Sequence, residues 1–103
     1  MSFTIDDNMM KSIGEVDNYW GDLMPIMATE ELAECIQAIS KLERAHISPT
    51  YASVYRIECK EEIANTTKEI SDVFISLLAI CHHYDIKPDD IKDRMIEKLA
   101  KKY

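Results

Sequence analysis

KEISDVFISLLAICHHY, residues 68–84, decides how the rest of the chain is read. On a helix turning 100° per residue, Asn65 just upstream and then Glu69, Asp72, Ser76, Ala79 and His83 fall on one narrow stripe. Most of the remaining circumference is apolar: Ile70, Val73, Phe74, Ile75, Leu77, Leu78 and Cys81. A helix that is apolar nearly all round is a buried helix. Its one polar seam, with Glu69 and Asp72 at i, i+3, is therefore expected to face protein or an enclosed cavity.

A second acidic group precedes it in ATEELAEC, residues 28–35. The periodicity predicts a helix from about Pro25 to Ala45, with Ala28, Leu32, Cys35, Ile36, Ile39 and Leu42 as its core face. Glu31 and Glu34 lie about 60° apart on the adjoining flank with Met27, Ala38 and Ala45, and Glu30 sits farther round. If the two helices are antiparallel neighbours, Glu31, Glu34, Glu69 and Asp72 converge. Two like charges about 5 Å apart repel by roughly 3 kcal/mol at an effective dielectric near 20. Four clustered carboxylates therefore have raised pKa values or surround a cation. All-oxygen ligation suits Mg²⁺, with Mn²⁺ as second choice, and Mg²⁺ commonly takes further oxygens from substrate phosphates.

Taken alone, Glu30, Glu31 and Glu34 fit a solvated helix face as well as a metal site. The apolar surroundings of the Glu69/Asp72 seam favour the metal reading. A carboxylate-bridged di-iron bundle needs two ExxH motifs. Only Glu43–His46 has that spacing, near a helix end, and that reading is set aside.

The rest of the chain fits one all-α domain over residues 1–103. Two Gly and three Pro in 103 residues leave little turn material. Thr4 is placed to cap a first helix, with Asp6 and Asp7 in its first turn, and Met9, Ile13, Val16 and Trp20 make its apolar stripe. Gly21 and Pro25 separate it from the second helix. Residues 46–60 read as a loop plus a short helix, turning at Ser48-Pro49-Thr50. A third helix is expected over about 61–84 and is broken by DIKP, residues 85–88. A fourth runs from about Asp89 with Ile91, Met95 and Leu99 at four-residue steps. The expected architecture is a four-helix bundle that gains from burying more apolar surface in an oligomer.

The formal charge of −7 argues against nucleic acid or an anionic membrane as a partner. The most apolar run, VFISLLAIC, is too short to span a bilayer. Cys35, Cys59 and Cys81 are odd in number and lack CxxC spacing, which suits reduced thiols in a cytoplasmic chain. MSFTIDDNMMK has no basic region followed by an apolar block, so no signal peptide is expected. From Lys87 onward there are six Lys or Arg against four acids. A basic end on an acidic body suits a ligand arriving as a phosphate–metal complex.

EELAE (30–34) followed by EISD (69–72) resembles the EExxE…ExxD signature of the MazG-like, all-α nucleoside triphosphate pyrophosphohydrolases. Trp20-Gly21 looks like the WG preceding the first motif in many small and phage-type members. EELAECIQAISK and KEISDVFISL resemble the phrases flanking the two motifs, and Lys98 lies where a closing Lys-rich segment falls. The likeness covers the chain from about residue 16. It implies Mg²⁺-dependent hydrolysis of an NTP or dNTP between the α- and β-phosphates, giving the monophosphate and pyrophosphate. It also implies a homodimer or homotetramer.

Carried across by the resemblance, Glu31, Glu34, Glu69 and Asp72 match the metal ligands. Glu30 matches a position that assists them or orients water, and Glu31 is its partner in catalysis. Lys98 is the first candidate for phosphate binding and Lys68 the second, although cations near a helix end also have a structural role. Trp20, Tyr51 and Tyr55 offer faces for stacking a base, with Trp20 equally able to continue the core stripe.

Three features depart from the family pattern. The interval between Glu34 and Glu69 is long, so residues 46–60 look inserted. Met24 and Pro25 stand where a Gln is common, and Lys101 stands near the place of a common Asn. The reading from another class is a helical interaction module with the same fold and no catalysis.

Overall fold

The computed structural model describes residues 4–47 and 60–101, all of it helix and short connections. Helix α1 spans Asp7–Trp20 and leads through a 3-10 turn, Gly21–Leu23, into α2, Met24–Ile47. Helix α3 spans Lys60–His83 and α4 spans Pro88–Ala100. No strand occurs among the described residues. Residues 48–59, including Tyr51, Tyr55, Cys59 and the turn read at Ser48-Pro49-Thr50, lie outside the described residues.

The start of α1 differs in detail from the sequence reading. Asp6, not Thr4, is the N-cap, and its carboxylate accepts the backbone N–H of Met9 at 2.9 Å. This satisfies one of the first-turn donors that have no partner within the helix. The helix closes at Gly21, whose φ of +53° is easily reached only without a Cβ.

Helices α2 and α3 form the centre of the molecule. They run antiparallel: Thr66 near the start of α3 lies beside Ala38 in the later half of α2, whereas Glu31 meets Glu69 and Asp72. The contact face uses small side chains, with Ala28, Cys35 and Ala38 buried on α2 and Thr66, Ser76 and Ala79 buried on α3. Small residues allow close backbone approach. The Thr66 hydroxyl donates to its own helix at Glu62 O (2.7 Å) and lies only 3.4 Å from the Ala38 carbonyl across the interface.

Helix α1 covers one side of this pair. Ile13, Met24, Ala28 and Ala79 form the core cluster, with Met10, Val16, Trp20, Met27, Leu78 and Ile80 packed against it. Trp20 thus continues the α1 stripe into the core.

The core face read for α2 is corrected by the structure. Ala28 and Cys35 are buried as expected and Leu42 is half-buried, but Leu32, Ile36 and Ile39 are exposed, and the helix buries Met24 and Ala38 in their place. The side toward α3 is the flank that carries Glu31. An apolar stripe beside a small-residue stripe permits either choice, and closeness of packing selects the small one.

Among the described residues three helices make the packed body, and α4 has no buried residue. The link before it is a helix-ending turn. Asp85 adopts φ +55°, Ile86 N–H donates to Cys81 O at 2.8 Å and Asp85 N–H donates to His82 O at 3.4 Å, the pattern of a Schellman cap. Pro88 then begins α4, where its missing N–H costs nothing.

Candidate metal centre

Because α2 and α3 approach closely, side chains on their contact faces cannot avoid one another. Glu31, Glu69 and Asp72 each place a carboxylate oxygen so that the three lie within 4.8 Å of one another. Glu69 is buried, and Glu31 and Asp72 are half-buried. Oε2 of Glu31 and Oε2 of Glu69 are shielded from solvent and accept no hydrogen bond. Buried polar atoms are nearly always partnered, so two such oxygens at one point mark a site short of a positive ligand.

The electrostatics agree. Burial, reinforced by the charges of Glu34, Asp72 and Glu69, pushes the Glu31 carboxyl up from its ordinary value, with Lys68 acting weakly the other way. The Lys68 ammonium lies 3.6 Å from Glu69 and 3.8 Å from Asp72. It is largely exposed, and an exposed ammonium at these distances offsets only part of the repulsion.

The donor set fits Mg²⁺. All three groups are carboxylates, the hard oxygen ligands this ion takes. An octahedron with bonds of about 2.1 Å separates its oxygens by about 3 to 4.2 Å. Small side-chain rotations therefore bring the three oxygens into range.

The structure brings together three of the four carboxylates expected to converge. Glu34 is exposed and stands outside the triad while still near enough to act on Glu31. Glu30 is exposed on the next flank. Lys68 borders the triad as described. Lys98 sits in the last turn of the exposed helix α4, and Trp20 packs on the core with its ring edge-on to Tyr19 (centroids 5.0 Å apart).

Sequence reasoning missed two features. A cleft of about 190 Å³ continues along the α2/α3 groove, lined by Ala38, Lys41, Glu61, Glu62 and Asn65. Asn65 was on the seam, one turn before Glu69; Lys41 follows Glu34 by two turns and was legible on the same principle. The second feature lies at the other end of α3. Asp17, buried on α1, accepts from His82 Nδ1 at 2.6 Å and from His83 Nδ1 at 2.8 Å. The helical spacing placed His82 away from the His83 seam. In the structure both rings reach Asp17 because α1 lies against the end of α3. The signal was Asp17 itself, four residues after Ile13 on the apolar stripe.

Searches of protein-family models, curated proteins and solved structures returned no match to the chain.

Proposed function

We propose that the chain is a Mg²⁺-dependent nucleoside triphosphate pyrophosphohydrolase, cleaving an NTP or dNTP between its α- and β-phosphates. One observation carries this reading. Glu31, Glu69 and Asp72 converge between two close-packed helices with two buried oxygens unpartnered. The resemblance of EELAE and EISD to the family signature supplies the reaction.

In this reading Glu31, Glu69 and Asp72 hold the ion, with Glu34 completing the set by a side-chain turn. A bound divalent cation neutralises phosphate oxygens and makes an attacking water more acidic. The chain itself does the rest. Water attacks a phosphorus, the bridging oxygen leaves with its electrons, and the water proton passes to a carboxylate not engaged as ligand. Glu30, exposed on the next flank of α2, is the candidate for that step by the resemblance, with Glu31, its neighbour in sequence, in the cluster. Lys41 and Asn65 line the adjoining cleft and offer N–H donors to the rest of a polyphosphate. Lys68 at the triad's edge does the same, and Lys98 does so if α4 is brought near.

The test is direct. Purified protein is incubated with the eight common NTPs and dNTPs, with Mg²⁺ and with EDTA. Pyrophosphate and a monophosphate are expected from at least one, only with the metal. No release from any of them leaves the interaction module as the better reading.

A further inference from the structure

We propose that the Lys68 ammonium is the built-in counter-cation of the carboxylate triad and that an incoming divalent cation displaces it, so that Lys68 sets how tightly the triad holds metal. The proposal rests on the triad being a metal site, and goes beyond that reading by giving the metal-free chain a cation of its own.

Lys68 acts on all three members of the triad. Its Nζ lies 3.6 Å from Oε1 of Glu69 and 3.8 Å from Oδ2 of Asp72. Its charge also reaches Glu31, where it opposes the combined effect of burial and the neighbouring acids. No other Lys or Arg among the described residues is ion-paired with these carboxylates. Yet the lysine leaves the inner oxygens free: Oε2 of Glu69 and Oε2 of Glu31 stay shielded and unpartnered. Glu69 thus gives one oxygen to Lys68 at the lip of the site and keeps the other for an ion inside it.

Two roles are open to such a lysine, and geometry separates them. A side chain that orients metal ligands holds them by hydrogen bonds, and its loss weakens metal binding. Both Lys68 contacts are longer than a hydrogen bond. The side chain is 70% exposed, and an ammonium on a flexible four-carbon stem is a mobile point charge. Lys68 therefore fixes no orientation and only screens. A cation that brings twice its charge, and sits where solvent screens less, pushes it off the carboxylates. The displacement costs little, because the ammonium swings into water. In the metal-free chain the lysine is engaged by the triad. In the loaded chain it stands beside the ion with no carboxylate to pair, open to an anion that the ion carries. An ordinary i, i+4 helix pair with Asp72 is the plainer role, and a contribution of that kind acts equally with and without metal.

The experiment takes two readouts from the full chain at low ionic strength. They are the melting temperature in EDTA and in saturating Mg²⁺, and the Mg²⁺ dissociation constant by titration calorimetry. Lys68→Gln keeps most of the stem and removes the charge. It should melt below the wild type in EDTA and match or exceed it in saturating Mg²⁺. It should also bind Mg²⁺ about three- to fivefold more tightly, the scale of an exposed ion pair, and salt at about 0.5 M should erase most of that gain. Lys68→Arg should behave as the wild type, and Lys92→Gln, the same charge change on α4, should move neither readout. If Lys68→Gln loses helical circular dichroism, Lys68→Ala takes its place with the same results expected. An equal drop in melting temperature with and without metal overturns the proposal and leaves a helix pair. Unchanged or weaker Mg²⁺ binding by the variant overturns it too. A wild type that binds no Mg²⁺ sinks the metal reading and this proposal together, whereas one that binds Mg²⁺ regardless of Lys68 sinks this proposal alone.

Discussion

At the scale of single residues, two buried carboxylates behave in opposite ways. Asp17 loses hydration on burial, which alone raises its pKa; hydrogen bonds and charge from His82 and His83 outweigh that and hold it below its ordinary value. Its contribution to stability is therefore present above the unfolded value of about 3.8 and is lost as pH falls through the lower folded value. Asp17→Asn keeps the shape and removes the charge-assisted bonds. It should cost about 1–3 kcal/mol at pH 7, read from urea denaturation, and the cost should shrink as pH drops below 3.8.

Glu31 has the reverse sign. Its folded pKa is raised, so the stability linked to it is present below about 4.5 and is lost as pH rises through the folded value. Without metal, Glu31→Gln should raise stability at pH 7.5 by roughly 1–3 kcal/mol, the scale of one relieved like-charge contact. Adding Mg²⁺ should raise the melting temperature of the wild type, since only the folded chain gathers the three ligands, and should leave the variant unmoved. A variant that melts lower than wild type without metal, and still responds to Mg²⁺, would remove the triad from consideration as a metal site.

At the scale of elements, the helices were legible because each carries its own period and its own breaks. The stripe of Met9, Ile13, Val16 and Trp20, the DIKP break and the acidic first turns all act within a few residues, and local sterics and hydrogen bonds settle them. What was not legible was the side on which α2 meets α3. Leu32, Ile36 and Ile39 looked like the core together with Ala28 and Cys35, yet they are exposed, and Ala38, read on the adjoining flank, is buried beside Thr66 of α3. Hydropathy reports which residues leave water, not which neighbour they meet. The α3–α4 link permits a prediction at this scale. Asp85 holds φ +55°, a conformation costing an L-residue roughly 1 kcal/mol that Gly adopts freely. Asp85→Gly should stabilise the chain by up to about 1 kcal/mol in denaturant titration, with helicity unchanged.

At the scale of the whole molecule, the radius of gyration is 16.8 Å, where a compact chain of this length has about 13 Å. Helix α4 has no buried residue, and α2 and α3 keep an apolar face open. The family resemblance implies an oligomer, and association that covered this face would make the melting temperature depend on the chain's own concentration. Scanning calorimetry at 5 and 200 μM should show a rise of several degrees. A constant value across that range would mean that the three-helix body holds its stability alone.

The sequence by itself determined the all-helical character, the ends of the helices to within a few residues, and the two acidic pairs one turn apart on their helices. These follow from backbone propensity and from a period of 3.6, which act between near neighbours. Only the tertiary structure decided which carboxylates meet, that Glu34 stays at the rim, that Asp17 joins His82 and His83, and which apolar stripe remains open. Those outcomes depend on how closely two helix backbones can approach, a property of both surfaces together that neither helix encodes alone.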